Sequence, residues 1–256
     1  LKIEGAGTME LEAASPQSPV ATINELVDKS SEKYGSRVAL QIEKNGKWVR
    51  YSYADLRKFA LEIGARLRGH GLRKGDRVVL FSENLPEWGL AYLGAVRNGL
   101  TVVPIDAQTW HREAWSIAAF TDAKAILASE KCFARLTEEG LAENEVSEAS
   151  VLLLNVNEHC RAFVRSELPR SCPAGESEQE KAHFPEVYPY DPASIIFTTG
   201  TMVDPRGAVH THRNFLANLF GVNKNLPVYP EDAFLSVLPL YHALEFTGGF
   251  LMPISG

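Results

Sequence analysis

Cysteine is scarce: Cys132, Cys160 and Cys172 are the three in 256 residues, and none stands at metal-ligand spacing from another. Such a set points to ordinary reduced thiols in a cytosolic protein rather than to a disulfide framework or a zinc site. His159 and His183 are too isolated to suggest a metal site either. Basic clusters are missing as well. The 26 Lys and Arg are outnumbered by 32 Asp and Glu, a net charge of −6. Binding a phosphate backbone needs concentrated cations, so nucleic acid is not an expected partner. No apolar run approaches the length of a membrane span and the first residues lack a signal-peptide core. A cytoplasmic location follows as the expectation, with peripheral membrane contact the other admissible one.

What is present is a chain of one large or two ordinary domains, 45% hydrophobic and so able to bury a core. Residues 1–20 carry Gly5, Gly7, Pro16 and Pro19 without a hydrophobic period and are expected to form a flexible tail, leaving 21–256 as the folded domain. Thr22 is placed to cap a helix that carries Ile23, Leu26 and Val27 on one face. Val38 to Ile42 and Trp48 to Tyr51 flank Asn45-Gly46, the strongest short hairpin signal. Ser52 should cap the next helix, in which Leu56, Phe59, Ala60, Ile63 and Leu67 recur at helical spacing before Gly71 ends it.

Strands and helices then alternate. Arg77 to Phe81, Leu100 to Ile105, Lys124 to Ala128 and Ser150 to Val156 read as strands, with helices at Leu85 to Asn98 and Trp110 to Phe120. That order predicts an α/β fold with a mostly parallel sheet flanked by helices. The polar, Pro-rich stretch from Asn157 to Tyr190 reads as a surface connection. Farther on, Thr211 is placed to cap a helix from His212 to about Val222, and Phe234 to Leu238 reads as a strand broken by Pro239.

The stretch from Ser194 to Val209 is the most informative. An apolar, β-branched run, Ser194 to Phe197, leads into Thr198, Thr199, Gly200 and Thr201, and after Met202, Val203, Asp204 and Pro205 come Arg206 and Gly207. Hydroxyls and free backbone N–H groups at a strand end can surround phosphate oxygens, and Arg206 adds a fork of donors with a permanent positive charge. Gly207 allows a close turn before Ala208 and Val209 extend again. No Gly-Lys-Ser/Thr follows at the spacing of the other common phosphate loop.

This loop resembles the signature loop of the adenylate-forming superfamily, which comprises acyl-CoA synthetases, nonribosomal peptide adenylation domains and luciferases. Phe197, Thr198, Thr199, Gly200, Thr201, Pro205, Gly207 and Ala208 fit the pattern, while Met202, Val203 and Arg206 stand where the family has Thr, Gly and Lys. Gly75 to Val78, Asn84-Leu85-Pro86-Glu87-Trp88 and Gly99 to Pro104 also resemble its N-terminal region. So does Leu238-Pro239-Leu240-Tyr241-His242, which in the family lies in the wall of the acyl-substrate site. Glu245, three residues on, resembles the long-chain fatty acyl-CoA synthetase branch.

The resemblance implies a truncated N-terminal domain of the acyl-CoA synthetase-like fold, with ATP, Mg²⁺ and CoA as cofactors and a fatty acid or other small carboxylate as substrate. In the implied reaction a carboxylate attacks the α-phosphate of ATP, and CoA thiol then attacks the acyl-adenylate. Thr198, Thr199, Gly200, Thr201, Arg206 and Gly207 fall to the phosphates, with Thr201 nearest the metal. Arg206 and His242 are the implied catalytic residues. Tyr241, His242 and Glu245 fall to the substrate wall, His242 orienting the carboxylate or closing the acyl pocket. The family's adenine, ribose and lysine motifs do not occur after His242. The expectation is therefore an N-terminal portion of a longer synthetase, inactive alone. An aryl- or amino-acid-adenylating ligase, or a non-catalytic acyl- or nucleotide-binding relative suggested by Met202 and Val203, stays open beside it.

Overall fold

The computed structural model describes residues 20–138, 152–155, 184–197 and 206–255. The first element, α1 (Ile23–Tyr34), starts where the Thr22 hydroxyl accepts the Glu25 N–H, as the cap signal predicts. β1 (Val38–Lys44) and β2 (Lys47–Ser52) pair antiparallel across Asn45 and Gly46, both at positive φ as a tight hairpin turn requires. In α2 (Tyr53–Gly69) Ser52 and Asp55 form a reciprocal capping box, and the helix stops at His70 with Gly71 at φ 92°.

A six-stranded sheet forms the centre. β3 (Arg77–Phe81), β4 (Thr101–Ile105), β5 (Ala123–Ala128), β6 (Leu152–Asn155), β7 (Pro192–Phe197) and β8 (Gly207–Thr211) lie in the order β6-β5-β3-β4-β7-β8. Every neighbouring pair is parallel except β7 with β8. Crossover helices α3 (Pro86–Arg97), α4 (His111–Phe120) and α5 (Glu130–Glu138) follow β3, β4 and β5 in turn. After β8 comes α6 (His212–Asn223), capped by Thr211 with Asn214. The described chain closes on α7: Ala243–Glu245, a wider π-helical turn Phe246–Leu251, and Met252–Ser255.

The strands are apolar on both faces because both are covered. Val78, Leu80 and Val102 join one core with α1, α2, α3, α6 and α7, while Val79, Phe81 and Val103 point the other way toward α4 and α5. Helices α2 and α3 approach closely at two glycines: a Cβ on Gly94 would run into the Ile63 side chain, and one on Gly64 would stand 3.1 Å from the Gly94 carbonyl. Trp88 and Tyr92, one turn apart on α3, stack with centroids 5.6 Å apart, and Phe246 of α7 lies 4.3 Å from the Tyr92 ring. The buried Tyr92 hydroxyl finds Ser194 Oγ on β7 at 2.8 Å, which ties α3 to that strand. Buried His212 at the start of α6 accepts the Ile23 N–H on Nδ1 at 3.2 Å, joining the first and sixth helices.

One predicted element is absent. Phe234 to Leu238 is not a strand: no described strand lies beside it to receive its backbone hydrogen bonds, and Leu235 and Val237 are 84% and 71% exposed. An apolar run becomes a strand only with a partner to pair with. Residues 1–19, most of the predicted tail, and 156–183, most of the predicted connection, lie outside the described residues, although Val20 is already buried in the core.

Candidate active site at the C-terminal edge of the sheet

Because β3, β4, β5 and β7 are parallel, their C-terminal ends share one edge, and ligands of open α/β sheets bind outside that edge. Phe197, the last residue of β7, pairs with Gly207, the first of β8. Both anchors of the 198–206 loop therefore sit there, with exposed Arg206 directly before β8. At Gly207 a Cβ would stand 2.6 Å from Ile195 Cγ2, so the close approach to β7 calls for glycine, as the sequence suggests. Thr198, Thr199, Gly200 and Thr201, together with Met202 and Val203, lie outside the described residues.

The second predicted stretch is seated on the same edge. Asn84 lies between β3 and α3. Its Nδ2 donates to the Leu238 carbonyl at 2.6 Å and to Ser236 Oγ at 3.2 Å, and its Oδ1 accepts the Leu240 N–H at 2.9 Å. The Tyr241 hydroxyl donates to Asp106 Oδ2, just past β4, at 3.1 Å. Partial burial, with that hydrogen bond and the Asp106 charge behind it, raises the Tyr241 pKa above the usual phenol value. His242 is half-buried beside the Tyr241 ring, at 4.2 Å between centroids, and its carbonyl accepts the Phe246 N–H to open α7.

Glu245 is buried, at 7% exposure, which for a carboxylate demands partners. Its Oε1 accepts from Ser236 Oγ at 2.8 Å, and the carboxylate packs against Gly249 so closely that a Cβ there would collide with it. Glu245 thus fastens the wall segment to α7 and is held from both sides. At the neighbouring strand end Ser129 Oγ bonds Glu83, and burial, the largest influence, pushes the Cys132 thiol up, away from the thiolate a nucleophile needs. Cys132 is a free, buried thiol. Among the described residues no group of three or more His, Cys, Asp or Glu could hold a metal ion.

The residues brought together are Tyr241, His242 and Glu245, with Arg206 and Gly207 at the head of β8 on the same sheet edge. Sequence reasoning overlooked Asn84, Asp106 and Ser236 as site residues. Asp106 carries a readable signal, the first polar side chain after an apolar strand on the ligand-bearing edge, whereas Asn84 follows Ser82 and Glu83 at the end of β3 and is not singled out in this way. Ser236 carries none.

A protein-family comparison matches residues 27–256 to the family described as AMP-binding enzyme. The chain belongs to the AMP-binding enzyme family. Among curated AMP-binding relatives, fatty acyl-CoA synthetase A of Dictyostelium discoideum is 28% identical over 228 residues, covering 85% of this chain and 33% of that protein. A crotonobetaine/carnitine–CoA ligase of Citrobacter koseri is 28% identical over 223 residues, covering 86% of this chain and 42% of that protein. The chain thus spans between 33% and 42% of the length of these relatives. In shape it is similar to a fatty acid AMP ligase from Legionella pneumophila, with a TM-score of 0.73 at 19% identity over 96% of this chain and 40% of that one. The N-terminal subdomain of Klebsiella oxytoca NpsA, solved with 3-hydroxybenzoyl-AMSN, superposes with a TM-score of 0.68 at 17% identity over 93% of this chain and 53% of that one. The α/β fold with its mostly parallel sheet is that of the family's N-terminal domain.

Proposed function

We propose that this chain is the N-terminal portion of an ATP-dependent acid–thiol ligase that activates a fatty acid as its acyl-adenylate and passes the acyl group to CoA. The observation that carries the reading is convergence. The wall segment Leu238 to Glu245 is bonded to the ends of β3 and β4, and the phosphate loop is anchored at the end of β7 on that same edge. An acid lying against Tyr241 and His242 would face a nucleotide held from the 198–206 side. Arg206 would offset charge on the departing pyrophosphate, and the threonines would donate to its oxygens, so the protein's work is positioning and charge compensation. Mg²⁺ enters with ATP as part of that substrate, and Thr201 is the hydroxyl this chain would offer it. Fatty acids are favoured because a relative named as a fatty acyl-CoA synthetase and a fatty acid AMP ligase share the sequence and the shape respectively.

The test is carboxylate-dependent ATP–pyrophosphate exchange with a panel of fatty, aryl and amino acids. The full-length protein should support exchange with fatty acids, while the 256-residue chain alone should not, since the family's adenine, ribose and lysine contributions do not occur in it. Fatty-acid-dependent exchange by this chain alone would overturn the fragment reading, and exchange with aryl or amino acids only would move the full-length enzyme to another branch. The non-catalytic reading rests on Met202 and Val203 where the family has Thr and Gly; nucleotide binding by the full-length protein without exchange would establish it.

A further inference from the structure

We propose that Asn84 is a positioning residue: its side-chain amide brackets Pro239 and, with Asp106, holds Tyr241 and His242 in place over the ends of β3 and β4. Residues 232–239 form no strand, so this stretch lacks the ladder that would otherwise fix it. Pro239 has no N–H to offer, which leaves the Leu238 carbonyl and the Leu240 N–H as the main-chain groups on either side of it. One side chain satisfies both. The Asn84 amide donates to the first at 2.6 Å and accepts from the second at 2.9 Å, as a neighbouring strand's peptide group would. A side-chain amide combines donor and acceptor in one plane, which neither a carboxylate nor a hydroxyl of that size reproduces.

The same amide reaches farther. Its second contact, Nδ2 to Ser236 Oγ at 3.2 Å, continues from that hydroxyl to Glu245 Oε1 at 2.8 Å, so a chain of hydrogen bonds runs from the end of β3 into the buried carboxylate. Tyr241, fastened to Asp106 at 3.1 Å, is the second point of attachment, and His242 follows it directly. Asn84 is itself rigidly carried, because β3 before it is buried and Pro86 opens the buried helix α3 two residues later. Its function would be exerted through Tyr241 and His242. The consequence for catalysis rests on the adenylation reading above, while the clamp itself does not.

The experiment has one arm for each. In this chain, Asn84→Leu keeps the side chain's bulk and removes all three bonds. Amide exchange at Leu240 and His242 should speed up about tenfold or more, with β3 and β4 amides unchanged within about twofold, because only the local opening is made easier. Unchanged exchange at Leu240, or equal acceleration through the sheet, would overturn the clamp. If Asn84→Leu fails to fold, Asn84→Ala, which also removes all three bonds, is read in the same way. In the full-length protein, pyrophosphate exchange by the variant should show a KM for dodecanoate raised about tenfold with the KM for ATP within about twofold. Parallel changes in both constants, or an unchanged dodecanoate KM, would overturn the positioning role. Absence of exchange by the unsubstituted protein would sink the adenylation reading separately, and amide exchange would then decide the clamp.

Discussion

Met202 and Val203 bear hardest on function among single residues. A hydroxyl at the first position could donate to phosphate, and glycine at the second could take positive φ or let a backbone N–H approach an anion; Met and Val remove the donor and add β-branched bulk. A charge-assisted hydrogen bond is worth about 1.5–3 kcal/mol, so Met202→Thr with Val203→Gly should tighten MgATP binding by the full-length protein about ten- to a hundredfold. Calorimetric titration of both proteins measures it, and equal binding would mean that phosphate is held by another arrangement. His212 gives a pH dependence with a definite sign. Burial, the main cause, lowers its pKa from 6.5 to about 4. Above 6.5 neither folded nor unfolded chain carries the proton and the fold is unaffected. Below it the unfolded chain binds first, so stability drains away down to about pH 4, by about 3 kcal/mol. Urea unfolding between pH 7 and 4 should show this loss, and His212→Gln should flatten the part of the slope that belongs to this residue.

At the scale of elements, local chemistry and close approach decide. The Ser52 cap was readable from sequence, as were Thr22, Asn45-Gly46 and Thr211, since each satisfies backbone groups within a few residues of itself, while the reciprocal bond from Asp55 came with the structure. Strands β3, β4 and β5 were readable from short apolar runs alternating with helices. Phe234 to Leu238 shows the limit: its pattern is that of a strand, but pairing is not a property of the run alone. The seating of the stretch from Leu238 to Glu245 was legible in part. Tyr241, His242 and Glu245 came from motif resemblance, whereas the attachment through Asn84 joins residues more than 150 positions apart and has no local signature. Contact between α2 and α3 was equally invisible. Gly94→Ala places a methyl inside Ile63, and we expect a loss of about 1–3 kcal/mol by chemical denaturation. Ser52→Ala, which removes only the cap, should cost about 1 kcal/mol. A Gly94→Ala protein as stable as the original would show that α2 and α3 can separate freely.

For the whole molecule, exposed apolar groups recur along the chain, and one short stretch carries several of them. Phe234, Leu235, Val237, Leu238 and Leu244 are all exposed within eleven positions. Large contiguous apolar surface favours association, so the 256-residue chain should lose solubility at high concentration. Leu235→Lys with Val237→Lys should raise the soluble limit with little change in Tm, since neither side chain is part of the core. Light scattering with a thermal melt distinguishes the two effects; a fall in Tm of many degrees would mean that these residues support the fold after all. No described helix is long and apolar enough to cross a membrane.

The bond from Ile23 to His212 spans 189 positions of chain. A ribosome adds about 5–20 residues per second, so roughly ten to forty seconds separate the emergence of the first helix from that of the imidazole that accepts its leading N–H. During that interval α1 can rest on α2 but cannot take its final seat. Helix α1 is thus made well before it is locked, and until His212 emerges the part of its surface that this contact covers stays open to a chaperone.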